Sequence, residues 1–235
     1  MNNITKKILQ LVYVPSPVYA ASAFLSQIPI YRNSIKLNFF IEVLIFLPLI
    51  TYLLFELYSE VSRHLEKTLK ERMDILFVIS ITYFLAGMGI HFTGNEINNF
   101  LNNSVEIAYL YDEIIGHIVT YSGFLGVITI LSIAQILSPS ENKISKKEEE
   151  ILILTGIIFG IFASIAAIEG QAPYFGYLIA PLLSILFLII IKKNKLLVHQ
   201  LPTLVFVMTS MISLFISTIV YWIIFQGFPQ PSSYL

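Results

Sequence analysis

Two histidines and a set of carboxylates interrupt an otherwise apolar chain, and their types suit acid–base or metal chemistry. His91 follows Gly89-Ile90 and precedes Asn95-Glu96. Asp112-Glu113 precede His117, and Glu169-Gly170-Gln171 forms a third cluster. Glu113, His117 and Tyr121 are spaced four apart, as are His91 and Asn95, so each set shares one helix face. Two imidazoles with carboxylates suit a divalent metal, zinc or else iron or manganese. Such a metal activates a bound water and polarises a carbonyl or phosphoryl oxygen. The expected ligands are His91, Glu113, His117 and Glu169, with Glu169 serving alternatively as the general base. Asp112, Asn95 or Gln171 would hold a ligand imidazole by its other nitrogen. Asp112 and Glu169 are the expected catalytic carboxylates, with Tyr121 and Glu42 around them. The Glu-x3-His spacing differs from the Glu-x2-His of di-iron bundles. Asp112 and Glu113 are adjacent and point to different sides of a helix.

Hydrophobic residues make up 56% of the 235 residues and charged residues 12%, with mean hydropathy +0.79. Soluble domains carry roughly 25% charged residues, so this composition predicts an integral membrane protein surrounded by membrane lipid. Net charge is −1, which gives no basis for nucleic-acid binding. The chain has no cysteine, which excludes disulfides, thiolate ligands and a cysteine nucleophile.

Runs of about 20 apolar residues mark the elements that must position these groups. Six spans are clear, at about 38–58, 73–93, 107–137, 150–169, 173–191 and 201–225. A seventh, at about 8–30, is broken by Pro15-Ser16-Pro17. Lys6 and Lys7 before it and Ala20-Ala21-Ser22 within it imitate a signal peptide, but the segment reads as a retained first helix. Helices satisfy their own backbone in lipid, so the expected class is an all-α bundle of about seven transmembrane helices in one domain. With seven spans, 12 of the 14 basic residues fall on one side, and only Arg32 and Lys36 on the other. That bias marks the cytoplasmic face. The N-terminus is then cytoplasmic and the C-terminus outside, as expected in a cell membrane. The loop at 94–106 has no basic residue and carries the sequon Asn102-Asn103-Ser104, which suits an external loop.

Counting from the basic ends fixes depth. His91 is 18 residues from Met73, His117 is 20 from Leu137 and Glu169 is 19 from Glu150. Each lies roughly 27–30 Å across, near the outer edge of the hydrocarbon. Glu42 lies slightly deeper, and Gly87 leaves room one turn below His91. Ionisable groups at such a boundary are costly unless hydrated, paired or metal-bound. Helix ends also collect polar groups without function, and Tyr174, Tyr177 and Trp222 fit an ordinary aromatic belt.

Ser145-Lys146-Lys147-Glu148 reads as a capping box. Gly156, Gly160 and Ser164 repeat at four-residue spacing, which lets another helix approach closely. Packing within the chain is the first reading of that stripe, and a homo- or hetero-oligomer face the second. No span contains a lysine that could form a retinal Schiff base, and Walker and His-Glu-x-x-His motifs are lacking. The architecture is similar to that of the ceramidase and progestin-receptor group of membrane hydrolases. The last span lacks that group's His-x3-His, so the likeness stops at the architecture. The expected function is an intramembrane metal-dependent enzyme, a hydrolase of lipid metabolism acting on a lipid or lipid-linked substrate at the outer boundary. The alternatives are a cation- or proton-coupled transporter or channel, and an accessory subunit without catalysis.

Overall fold

A computed structural model describes residues 1–25, 28–31, 35–100 and 106–231. Arg32 and the sequon Asn102-Asn103-Ser104 lie outside them. Six helices are long and apolar enough to cross a membrane: α3 (Leu37–Val61), α4 (Lys67–Phe100), α5 (Glu106–Leu137), α6 (Lys146–Glu169), α7 (Phe175–Lys193) and α8 (Pro202–Phe225). They match the six clear spans, and the chain is a multi-pass helical membrane protein. The seventh expected span is two shorter helices, α1 (Asn3–Tyr13) and α2 (Pro15–Phe24), broken at Val14. Pro15 sits at the first position of α2, where its missing N–H costs nothing. A two-stranded antiparallel ribbon, β1 (Pro29–Tyr31) with β2 (Ile35–Lys36), leads into α3.

The chain divides into two compact units. The first holds Met1–Leu9, Tyr58–Met73 and Ile128–Leu235. The second holds Gln10–Leu57 and Asp74–Val127.

In the first unit, α6 packs along α8 on the small-residue stripe. A methyl group on Gly156 would strike Thr209 and Phe206, and one on Gly160 would strike Ser210 and Ser213. Ser164 Oγ lies 2.9 Å from Thr218 Oγ1, and Ser213 donates to the Ile157 carbonyl at 2.8 Å. The stripe is therefore occupied by a helix of the same chain. Without a hydrophobic drive between helices in lipid, such close packing and hydrogen bonding hold the pair. The Ser145/Glu148 capping box is formed in full at the start of α6.

The start of α8 is capped from another helix. Gln135, fully buried on α5, accepts from the Thr203 and Leu204 amides through Oε1 at 2.6 and 3.2 Å. These are two of the orphan N–H groups that every helix start presents. At the other end of α8 the chain turns back through Gln226 at φ 52°. Tyr221 donates to the Pro229 carbonyl at 2.8 Å, and Gln230 donates to the Glu169 carbonyl at 2.9 Å.

The N-terminus is anchored in the first unit. The Asn2 amide donates to Glu148, and its side chain donates to Ser140 Oγ at 3.1 Å and the Asn142 carbonyl at 3.0 Å. Ser140 and Asn142 belong to the loop before α6, and Glu148 to the first turn of α6. In the second unit, Ser22 at the far end of α2 donates to Glu42 near the start of α3 at 2.9 Å.

Gln135→Leu removes the acceptor for two buried amides. It should lower stability by about 1–3 kcal/mol, the cost of a buried unsatisfied polar group. Thermal unfolding in detergent micelles checks this.

Candidate functional site

The second unit brings together most of the expected site residues. Its helices α4 and α5 meet backbone to backbone. A methyl group on Gly94 would lie 2.8 Å from the Asp112 amide nitrogen, and one on Gly116 would lie 2.8 Å from the His91 backbone. Gly87 and Gly123 leave no room either, against Thr120 and Phe84 respectively. The space expected beside the imidazole at Gly87 is filled by the Thr120 backbone. This close approach sets His91 directly beside Asp112.

The backbone of α5 is π-helical over Leu110–Gly116, the stretch that carries Asp112 and Glu113. α3 is π-helical over Glu42–Phe46. Wider turns of this kind re-aim side chains and recur at functional sites. The result on α5 is that Asp112 is 2% exposed, while the neighbouring Glu113 is only half-buried.

His91 Nδ1 lies 2.8 Å from Asp112 Oδ1, an ion-pair distance. The Asp112 carbonyl is also within 3.4 Å of the same nitrogen. His117 Nδ1 lies 2.9 Å from the Glu113 carbonyl oxygen, which obliges it to carry the proton. The Glu113 carboxylate is 4.0 Å from that nitrogen. The two imidazoles face one another at 4.2 Å between ring centroids, and Tyr121 stacks on His117 at 5.9 Å and 17°. Both Nδ1 atoms are thus engaged by α5 oxygens. That is how proteins fix an imidazole so that Nε2 does the chemistry.

Two more carboxylates border this group. Glu42, nine-tenths buried, accepts from Ser22 and lies within electrostatic reach of His91 and Glu96. Glu96, equally buried, accepts from the Lys36 amide at 3.4 Å. Ser22, Lys36, Asn38 and Asn98 were not singled out as site residues from sequence. Asn38 stands one helical turn before Glu42, and that spacing is the one signal that could have found it.

Asn95 is half-buried on α4, one turn beyond His91. Glu169 and Gln171 belong to the first unit. Glu169 is half-buried at the end of α6, and Gln171 is exposed in a left-handed conformation at φ 51°. Among the described residues, no group of three or more histidines or carboxylates is arranged to hold a metal ion.

Gly116→Ala forces α5 away from the His91 backbone. Overpacking of this kind costs about 1–3 kcal/mol. Nitrogen NMR of the histidine rings should show the His91 Nδ1 signal shifting in the variant while His199, on the first unit, stays unchanged.

No protein-family model matches the chain, and neither does any curated protein or solved structure in the comparisons.

Proposed function

We propose that the protein is a membrane-embedded hydrolase acting on a lipid or lipid-linked substrate at the outer membrane boundary. The observation that carries this is the pair of facing imidazoles, each with its Nδ1 held by oxygens of α5. His91 Nε2 would take a proton from water as the oxygen adds to an ester or amide carbonyl. Asp112, buried beside Nδ1, would stabilise the imidazolium that forms. His91, then an imidazolium, would return that proton from Nε2 to the leaving oxygen or nitrogen, with the His117 ring facing it. Burial strengthens each electrostatic step because water no longer screens it.

A metal-dependent form of the same reaction is supported by the orientation of both imidazoles, each held at Nδ1 by an oxygen of α5. His91 and His117 would hold the ion through Nε2, and Glu113 is a further donor on α5. Two imidazoles alone fall one short of the three protein ligands that catalytic zinc takes. The proton chemistry above therefore rests on the side chains themselves.

Transport is the second reading, supported by the acidic layer of the second unit. Against it stand the polar side chains nearer the basic ends. Thr51, Ser132, Thr209 and Ser213 each donate to a helix carbonyl, and Gln135 caps α8. Among the described residues these groups are engaged in hydrogen bonds to helix backbone.

Turnover of lipid ester and amide substrates should fall by about 10²–10⁴-fold in Asp112→Asn and in His117→Ala, the range of general acid–base catalysis. Unchanged turnover in both variants sinks the hydrolase reading. Elemental analysis of the same samples separates its two forms. About one equivalent of metal, lost in His117→Ala, fits the single-ion site of the metal-dependent form. Full turnover in metal-free protein selects the imidazole-only form. Liposome uptake that survives in both variants would favour transport.

A further inference from the structure

We propose that a cavity at the basic end of the first unit binds a phosphate ester of a polyol, either free or as a lipid headgroup. The cavity shares no residue with the imidazole pair, and its binding does not depend on turnover.

The cavity measures about 340 Å³, and every residue lining it belongs to the first unit. Small-molecule sites span about 300–1,000 Å³. Its buried lining is apolar, with Ile4 of α1 and Val61 at the end of α3. The loop from Ser138 to Asn142 lines it as well, and hydrogen bonds hold that loop on two sides. Asn2 donates to Ser140 Oγ at 3.1 Å and to the Asn142 carbonyl at 3.0 Å. The Ser140 amide donates to the Gln200 carbonyl, and the Ile144 amide to the His199 carbonyl, each at 2.9 Å. The cavity is therefore pre-formed, which spares a ligand the cost of ordering it.

The exposed lining carries charge. Arg63 and His64 stand there with Glu141. Among the described residues no carboxylate pairs with Arg63. His64 Nδ1 is 4.0 Å from Glu141, too far for a hydrogen bond. A guanidinium fork and a ring N–H are thus open to a ligand, and the fork matches two oxygens of a phosphate. The unit as a whole adds to this. It holds twelve lysines and arginines against eight glutamates, and Glu169 lies at its other end. That surplus draws anions toward the basic end.

Glu60 and Glu141 decide what the phosphate is attached to. Both line the cavity, so a bare anion meets two like charges. Hydroxyls instead donate to carboxylates and also suit Asn3, Ser138 and Asn142. A polyol bearing one phosphate answers the cations and the carboxylates together. Ethanolamine phosphate would answer the charges but leave those neutral side chains unused.

The full chain in a non-ionic detergent is titrated calorimetrically with inositol monophosphate, ethanolamine phosphate and inorganic phosphate. Inositol monophosphate should bind saturably, raise the unfolding temperature and bind more tightly than the other two. Arg63→Gln should weaken it by about 10-fold or more, the worth of a charged hydrogen bond. Arg63 has no partner to lose, so the ligand-free variant should unfold at the wild-type temperature. Lys193→Gln, at the same basic end but outside the cavity, should leave binding unchanged. Glu60→Ala should cut the ester's advantage over inorganic phosphate by about 10-fold. In phosphatidylcholine nanodiscs the ester should still bind. Competition from added phosphatidylinositol then assigns the lipid headgroup as the source, and its absence assigns the free ester. No saturable binding of inositol monophosphate overturns the inference. So does equal binding of inorganic phosphate, tighter binding of ethanolamine phosphate, an advantage unmoved by Glu60→Ala, or an equal loss in Arg63→Gln and Lys193→Gln.

Discussion

Helices α4 and α5 touch through their backbones, and the site depends on that contact. Gly94 lies under the Asp112 backbone, and Gly116 lies under the His91 backbone. Each glycine faces a chemically active residue of the other helix. A side chain at either position would push the helices apart, since its Cβ would lie 2.8 Å from the facing backbone. In lipid, small residues are the main means by which helices approach this closely, since apolar side chains gain little by leaving the lipid. One choice of residue size therefore decides both the packing of this unit and the pairing of imidazole with carboxylate.

The same logic recurs in the first unit with a different outcome. Gly156, Gly160 and Ser164 let α8 settle on α6, and the groups brought together are hydroxyls that bond to each other or to carbonyls. Gln135 completes the start of α8. That close approach is structural, because most polar atoms it gathers find partners. In the second unit the approach pairs Asp112 with His91 at 2.8 Å, and the buried Asn98 amide oxygen on α4 has no hydrogen-bond partner among the described residues. A buried group without a partner costs about 1–3 kcal/mol.

The π-helical stretches explain how adjacent residues reach different environments. In a regular helix, Asp112 and Glu113 would stand about 100° apart. Within Leu110–Gly116 the wider turn buries Asp112 against α4 and leaves Glu113 half-buried on the turn before His117. The equivalent stretch in α3 begins at Glu42 itself. The distortions coincide with the ionisable residues, which is where local strain has a functional reason to persist.

The membrane class, the six long spans and the Ser145/Glu148 cap were legible in the chain because each rests on local chemistry. Hydrophobic runs of bilayer length and a serine–glutamate spacing carry their own physical meaning. The break in the N-terminal segment was legible as well, from Pro15 and Pro17. Depth along each helix could be counted, which put His91, His117 and Glu169 at one level. Rotation about each helix axis could not be counted, because it is fixed by what packs on the other side. Tertiary structure alone decided that Asp112 meets His91, that Thr120 fills the space at Gly87, and that Ser22 reaches Glu42. It also assigned Glu169 and Gln171 to the other unit. Equal depth shows only that side chains share a layer, and which of them touch depends on the packing between helices.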